Sequence, residues 1–292
     1  MITRVVAATD FSPEADLAVA HAVVIAKRHG ANLTVVFAEP ERSTDDDRGD
    51  FAELAAEADA LARQELEARV ASAAAAGIDT DGVLRYGAPD EVIAEVARDL
   101  GAELTVIGTH GRTGVKRFFL GSVAERVIKR TPDAALVVRG APPEGGFRRV
   151  LVATDFSDAA FAALSAAITL AAPDAQLDVI HAWQYPPGTW GRLARRSAAF
   201  KSLEDAIVDA ARASASSLQQ QAASLRAFEV ELRQGAPAAT IADAAEHGHH
   251  DLIAVGTHGH QGVRRFLLGS VAEAVVRHAH ASVVVAHAAP RA

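Results

Sequence analysis

Glycine lets a backbone N–H approach an anion closely, and this sequence gathers glycines at one spacing twice. Gly108-Thr-His-Gly111 is followed nine residues later by Gly121-Ser122, and Gly256-Thr-His-Gly259 by Gly269-Ser270 at the same spacing. Each stretch follows a short apolar run and leads into Ser-Val-Ala-Glu, a helix opening. The chemistry this suits is the cradling of a polyphosphate. Bare amides, often at positive φ, would come from the loop, and unpaired N–H groups with partial positive charge from the helix N-terminus. Ser122 and Ser270 either donate a hydroxyl hydrogen to a phosphate oxygen or cap their own helix. His110 and His258 either donate to a phosphate or shape the turn. Lys116, Arg117, Arg264 and Arg265 either add positive potential or are solvated loop charges. Three or four hydrogen bonds to a charged group, at about 1.5–3 kcal/mol each, account for much of the roughly 8 kcal/mol of a micromolar complex.

A carboxylate accompanies each glycine stretch. Val5 to Ser12 reads Val-Val-Ala-Ala-Thr-Asp-Phe-Ser, and Val150 to Ser157 reads Val-Leu-Val-Ala-Thr-Asp-Phe-Ser. Asp10 and Asp155 thus end an apolar strand, where they are either turn residues or ligand contacts. Ser12 precedes Pro13, a strong helix start, so capping explains Ser12 without a catalytic Ser-Asp pair. His247-Gly-His-His250-Asp251 is either a divalent-ion cluster or a solvated C-terminal turn. No Gly-x4-Gly-Lys-[Ser/Thr] occurs, and no Gly-x-Gly-x2-Gly follows the first strand, so Walker and dinucleotide fingerprints are missing. Without a Walker lysine or an evident base, fast phosphoryl transfer is not expected, and no catalytic residue is assigned.

The elements that must position these residues also come in two sets. Tyr86-Gly-Ala-Pro89 recurs as Gln234-Gly-Ala-Pro237, and Gly108–Glu125 matches Gly256–Glu273 with four differences: Arg112/His260, Thr113/Gln261, Lys116/Arg264 and Phe119/Leu267. The period is half the chain, too long for a solenoid, so the reading is two domains, 1–140 and 149–292. A Pro/Gly-rich linker covers 141–148. In the first copy, strands are expected at Val5–Ala8, Leu33–Phe37, Val83–Leu84, Leu104–Ile107 and Ala135–Val138, with helices near 13–29, 51–76, 89–100 and 122–130. Gly30 and Gly77 sit where helix C-caps belong. Continuous apolar strands separated by helices imply a parallel sheet covered on both faces, and right-handed crossovers make each domain a doubly wound α/β unit. The second copy reads alike from Arg149 to Ala286, with an irregular loop at Tyr185–Phe200 and a helix near 201–225.

Composition narrows the class. The formal charge of −8 argues against nucleic-acid binding, which needs a basic face. The absence of cysteine excludes disulfides, thiolate catalysis and Cys-type zinc sites. The N-terminus lacks a basic-then-apolar leader. The longest uncharged stretch, Ala159–Ala172, is too short for a membrane span and reads as a core helix. A soluble, cytoplasmic protein that does not engage the membrane is expected.

The spacing G-x2-G-x9-G-[ST], with an early strand ending in Asp, resembles the universal stress protein family in its tandem two-domain form, over nearly the whole chain. The resemblance implies five-stranded parallel sheets of order 3-2-1-4-5. It also implies ATP, ADP or AMP at each glycine loop, with Mg or Mn on the phosphates. The nucleotide contacts it assigns in the first domain are Thr9, Asp10, Val36, Gly108, His110, Gly111, Arg112, Gly121, Ser122 and Val123. In the second they are Thr154, Asp155, Ile180, Gly256, His258, Gly259, Gly269, Ser270 and Val271. Asp10 and Asp155 would meet the ribose or a phosphate-bound metal, and Val36 and Ile180 would present backbone to adenine. Phe37, where the second copy has His181, departs from the pattern, so the two pockets can differ in affinity. Family members pair through their last strands, here Leu136–Val138 and Val283–Val285, within one chain or between two chains as a homodimer. A regulatory, stress-linked ATP-binding protein with little or no hydrolysis is the leading expectation. A slow metal-assisted ATP hydrolase and a scaffold with vestigial pockets are the alternatives.

Overall fold

Val5, Val6 and Ala7 are apolar in succession, so the strand they form must be covered on both faces, and all three are buried. That strand is β1 (Arg4–Thr9). The computed structural model describes residues 1–41, 50–109, 120–185, 197–257 and 268–288. In the first half β1 is followed by α1 (Pro13–His29), β2 (Asn32–Glu39), α2 (Asp50–Ala75), β3 (Thr80–Tyr86), α3 (Pro89–Leu100), β4 (Leu104–Ile107), α4 (Ser122–Arg130) and β5 (Ala134–Val137). The second half repeats the order: β6 (Phe147–Ala153), α5 (Asp158–Leu170), β7 (Ala171–Trp183), α6 (Ala198–Gln221), β8 (Val230–Gln234), α7 (Pro237–His247), β9 (Leu252–Gly256), α8 (Ser270–His278) and β10 (Ser282–Ala286).

The strands lie in one sheet of order β3-β2-β1-β4-β5-β10-β9-β6-β7-β8. Each half therefore has the 3-2-1-4-5 order, wholly parallel within itself. The halves meet where β5 and β10 run antiparallel, with Leu136 opposite Val284 and Val137 opposite Val283. Leu136 and Val284 are also each other's counterparts in the internal repeat, so a pseudo-twofold axis passes through that pair. Side chains alternate across the sheet. Val5, Ala7, Leu136 and Val284 enter one apolar layer, and Val6, Val137, Val283 and Val285 the other. Both layers run through the two halves. Each fully buried Val or Leu contributes about 1.5–3 kcal/mol relative to exposure, so the joint is held as a core is held.

Three expectations shift. β6 begins at Phe147, inside the expected linker, because Phe147 is buried and faces the His21 ring at 6.4 Å. The uncharged stretch is helical only to Leu170, and β7 starts at once at Ala171, with an irregular register against Phe147 and Arg149. α6 starts at Ala198, earlier than expected, because Ser197 caps it by accepting from Phe200 N at 3.1 Å. The cap residue Gly30 has φ 65°, as a left-handed C-cap requires.

On the α1 side, Arg28 donates to the carbonyls of Leu170, at 2.9 Å, and Ala171 of the other half. His21 is fully buried, its Nδ1 donating to Leu17 O at 2.9 Å. Burial holds the His21 imidazole below its ordinary pKa, against a smaller raising effect from that carbonyl. His29 is lowered too, by burial first and then by Arg28 and the N-terminus. A histidine with a depressed folded pKa binds protons more readily when unfolded, so stability is kept above the unfolded pKa and falls as pH drops below it. Thermal midpoints are therefore expected to fall between pH 7 and 5, less steeply in His21→Gln. Parallel melting curves for the two chains check this.

Candidate functional site

The carboxyl end of β1 is built by short side chains that bind their own backbone. Thr9 Oγ1 accepts from Phe11 N at 3.0 Å. Asp10 Oδ1 accepts from Ser12 N at 3.1 Å and Ser12 Oγ at 2.5 Å, while Ser12 Oγ accepts from Ala15 N at 3.3 Å and so caps α1. Thr154, Asp155, Ser157 and Ala160 repeat these bonds at 3.0, 3.1, 2.6 and 3.2 Å. The turn puts Phe11 and Phe156 at φ 65° and 66°, a region uncommon for a side-chain-bearing residue. Each ring is held in place by a neighbour. Phe11 lies 4.4 Å from the Phe37 ring, under the Arg69 guanidinium, and Phe156 lies 4.5 Å from the His181 ring. His181 Nδ1 also donates to Thr154 O at 2.8 Å. The Phe37/His181 difference thus sits beneath the turn, where each ring packs on the turn's phenylalanine, but only Phe37 also lines the cleft of its own half.

At the end of β4 a side chain on Gly108 would place its Cβ 2.7 Å from Glu14 O, and at the end of β9 one on Gly256 would meet Ala159 C at 2.7 Å. These glycines let the first turn of α1 or α5 lie against the sheet. Gly121 and Gly269 are the N-caps of α4 and α8, at φ −62° and −61°, and their N–H groups donate to Thr109 O at 2.8 Å and Thr257 O at 2.7 Å. The positive φ expected of the cradle glycines is absent at these four positions. Close backbone approach explains Gly108 and Gly256 instead. Ser122 and Ser270 are the first helical residues, both exposed, and neither caps its helix. Of their two expected roles, capping is not taken.

These residues converge on a cleft in each half. The first, about 570 Å³, is lined by Thr9, Asp10, Gly108, Gly121, Ser122 and Val123. The second, about 240 Å³, is lined by Thr154, Asp155, Ile180, Gly256, Gly269, Ser270 and Val271. Val36 is not brought to the first cleft. It is wholly buried in the ladder opposite Ala8, and Phe37, Ala38 and Glu39 form that wall. Ile180 does line the second, though its carbonyl accepts from Thr154 N at 2.9 Å. His110, Gly111, Arg112, Lys116, Arg117, His258, Gly259, His260, Gln261, Arg264 and Arg265 lie outside the described residues.

The opposite walls come from Pro89 and Ile93 of α3, and Pro237 and Ile241 of α7. Sequence reasoning gave them no role, although the repeated Gly-Ala-Pro was the available signal. Also unforeseen is Asp90, whose side chain is 5% exposed and joins α3 to α4, with Oδ1 2.8 Å from Arg126 Nε and Oδ2 2.9 Å from Arg130 Nε. The matching positions of the second half are Ala238, Ala274 and His278. Asp90→Ala removes the shared acceptor while both arginines can still reach water, so a loss of about 1–3 kcal/mol is expected, read from urea unfolding.

His250, in the expected solvated turn, is buried with Nε2 2.8 Å from Asp178 Oδ2, and Asp251 accepts from the N–H groups of Arg148 and Arg149 at 2.8 and 3.0 Å. These bonds tie the turn to β6 and β7. Among the described residues, no group of three or more His, Asp or Glu side chains is arranged to hold a metal ion. Nor is any described helix long and apolar enough to cross a membrane.

The sequence profile of the universal stress protein family matches residues 1–139 and again 146–287. The chain belongs to the universal stress protein family. A putative universal stress protein of Staphylococcus epidermidis is 34% identical over 138 residues, covering 47% of this chain and 83% of its own length. One from Staphylococcus aureus is 34% identical over 143 residues, covering 48% and 86%. The crystal structure of a universal stress protein from Archaeoglobus fulgidus superposes with TM-score 0.67 at 22% identity, covering 98% of this chain and 96% of that one, a likeness of fold. One solved universal stress protein is in complex with cAMP, with 29% identity and TM-score 0.40 over 47% of this chain and 97% of its own. This universal stress protein therefore carries the family domain twice.

Proposed function

We propose that this universal stress protein binds one adenine nucleotide in each cleft and acts as a regulator with little or no hydrolysis. The observation that carries the reading is a convergence repeated in both halves. A carboxylate, a bare turn and a helix N-terminus with an uncommitted serine hydroxyl meet in one cleft beyond the carboxyl ends of β1 and β4, or of β6 and β9. That is where the winding of a doubly wound sheet reverses and where ligands bind. The phosphates lie at the start of α4 or α8, where the amide dipoles and Ser122 or Ser270 meet them. Asp10 and Asp155 are the carboxylates placed to meet the ribose or to hold Mg or Mn against the phosphates. Domains at 1–140 and 149–292 joined by 141–148 fit this division, with β6 starting inside the join. The β5–β10 ladder supports pairing of the domains within one chain. It leaves other surfaces for a homodimer, since both last strands are already paired. The reading places the protein in the cytoplasm.

Titration calorimetry with ATP, ADP, AMP and cAMP tests it. Two equivalents of an adenine nucleotide per chain are expected, and silence with all four overturns the proposal in favour of vestigial pockets. Steady ADP release with Mg or Mn, lost on Asp10→Ala with Asp155→Ala, would replace the regulator by a slow hydrolase.

A further inference from the structure

Arg139 stands two residues beyond β5, yet its side chain serves the other half. Nη2 donates to Val276 O at 2.6 Å, in the last turn of α8, and Nη1 to Ala281 O at 3.2 Å. Its main-chain N–H donates to Ser282 Oγ at 3.0 Å, and that hydroxyl donates to Arg139 O at 3.2 Å. Burial lowers the guanidinium pKa to about 10, which keeps it charged near neutrality. His287, just beyond β10, makes the reverse reach. Its Nε2 donates to Ile128 O at 2.8 Å, in the last turn of α4, and its N–H to Asp133 O at 3.0 Å. In the repeat that sets Gly108 on Gly256, Arg139 falls on His287 and Ile128 on Val276. The exchange is thus reciprocal, and a donor at a helix C-terminus satisfies carbonyls that lack partners within the helix.

Both helices carry a cleft wall at their other end. Ser122 opens α4 and Ser270 opens α8, each nine residues long, a rod of about 14 Å. Holding one end of a short rigid rod sets the position of the other, and a site built on a helix is as well placed as the contacts that support that helix. We infer that each cleft is aligned from the opposite domain: Arg139 positions α8 for the second cleft, and His287 positions α4 for the first. The inference rests on the nucleotide reading above for its ligand. It also makes the clefts interdependent, since occupancy that fixes one helix restrains the strand end of the other domain, and such coupling is reciprocal.

Two readouts on the full chain test it. In Gly121→Asp, which leaves the second cleft for ATP, adding Arg139→Gln is expected to weaken ATP about fivefold or more. In Gly269→Asp, which leaves the first, the same change stays within about twofold, and His287→Gln gives the mirror pattern. Hydrogen exchange needs no nucleotide: Arg139→Gln speeds exchange in 270–278 but not in 122–130, and His287→Gln does the opposite. Arg139→Lys, which keeps a charged donor, restores part of both effects and stands in if Arg139→Gln does not fold. If neither single-cleft chain binds ATP, the nucleotide reading fails, and the exchange pattern still decides whether the alignment is crossed. Effects confined to the substituted residue's own domain, or equal in both, overturn the inference.

Discussion

Replacing Gly121 and Gly269 together with Asp is expected to remove ATP binding while leaving the fold intact. Both are helix N-caps at φ near −60° and extended ψ, a conformation open to any residue. Asp is among the preferred N-cap types, its carboxylate accepting from the helix's unpaired N–H groups. The thermal midpoint should therefore hold at position 121. At position 269 a Cβ would come 2.9 Å from the backbone oxygen of Thr257, so the chain must shift there and a lower midpoint is expected on that side. The same carboxylate, however, faces the proposed phosphate position. Two unit charges about 4 Å apart at an effective dielectric near 20 repel by about 4 kcal/mol, roughly a thousandfold in Kd. Calorimetry beside a melting curve separates lost binding from lost structure. Unchanged ATP affinity in the double variant would remove the phosphate cradle from this protein.

The opposite signature is expected at Gly108. Gly108→Val should collapse stability, because even the first carbon of the new side chain would lie 2.7 Å from Glu14 O and 3.0 Å from Glu14 C. Neither atom can turn aside, since both belong to the backbone of α1. Relief requires α1 to slide off β4, and overpacking of this kind costs up to about 3 kcal/mol, a large part of a domain's net stability. The urea midpoint of Gly108→Val should drop sharply. Gly256→Val should behave alike, since Ala159 C and Ala160 N stand 2.7 and 2.8 Å from its added carbon. A midpoint unmoved by either change would mean that these glycines are not there for helix packing.

Those two pairs of glycines show how far the sequence could be read. Their spacing, repeated after strands and before helices, located the clefts. The continuous apolar runs gave parallel strands covered on both faces, while the strand order came from the family resemblance. The reason for each glycine was not legible, because φ and interatomic clearance depend on how α1 lies across β4, elements far apart in the chain. Val36 shows the same limit. It belongs to the right strand, but its side chain is wholly buried, and the cleft wall comes from the residues that follow it, Phe37, Ala38 and Glu39. Nothing in the sequence singled out Asp90, since its two arginine partners lie on another helix. Phe147 looked like linker until its neighbour across the joint was known. Local pattern specifies elements; contacts between distant elements settle which residues they present.

The pair Leu136–Val284 on the pseudo-twofold axis has a consequence for divergence. In an assembly of two identical chains, every substitution is made on both sides of the axis. Here the two sides are written separately, so one can change while the other is kept. The ion-paired Asp90, where the second half has Ala238, is such a one-sided change, as is Phe37 against His181. A single polypeptide can thereby hold two differently tuned compartments on a scaffold that stays symmetric at its centre.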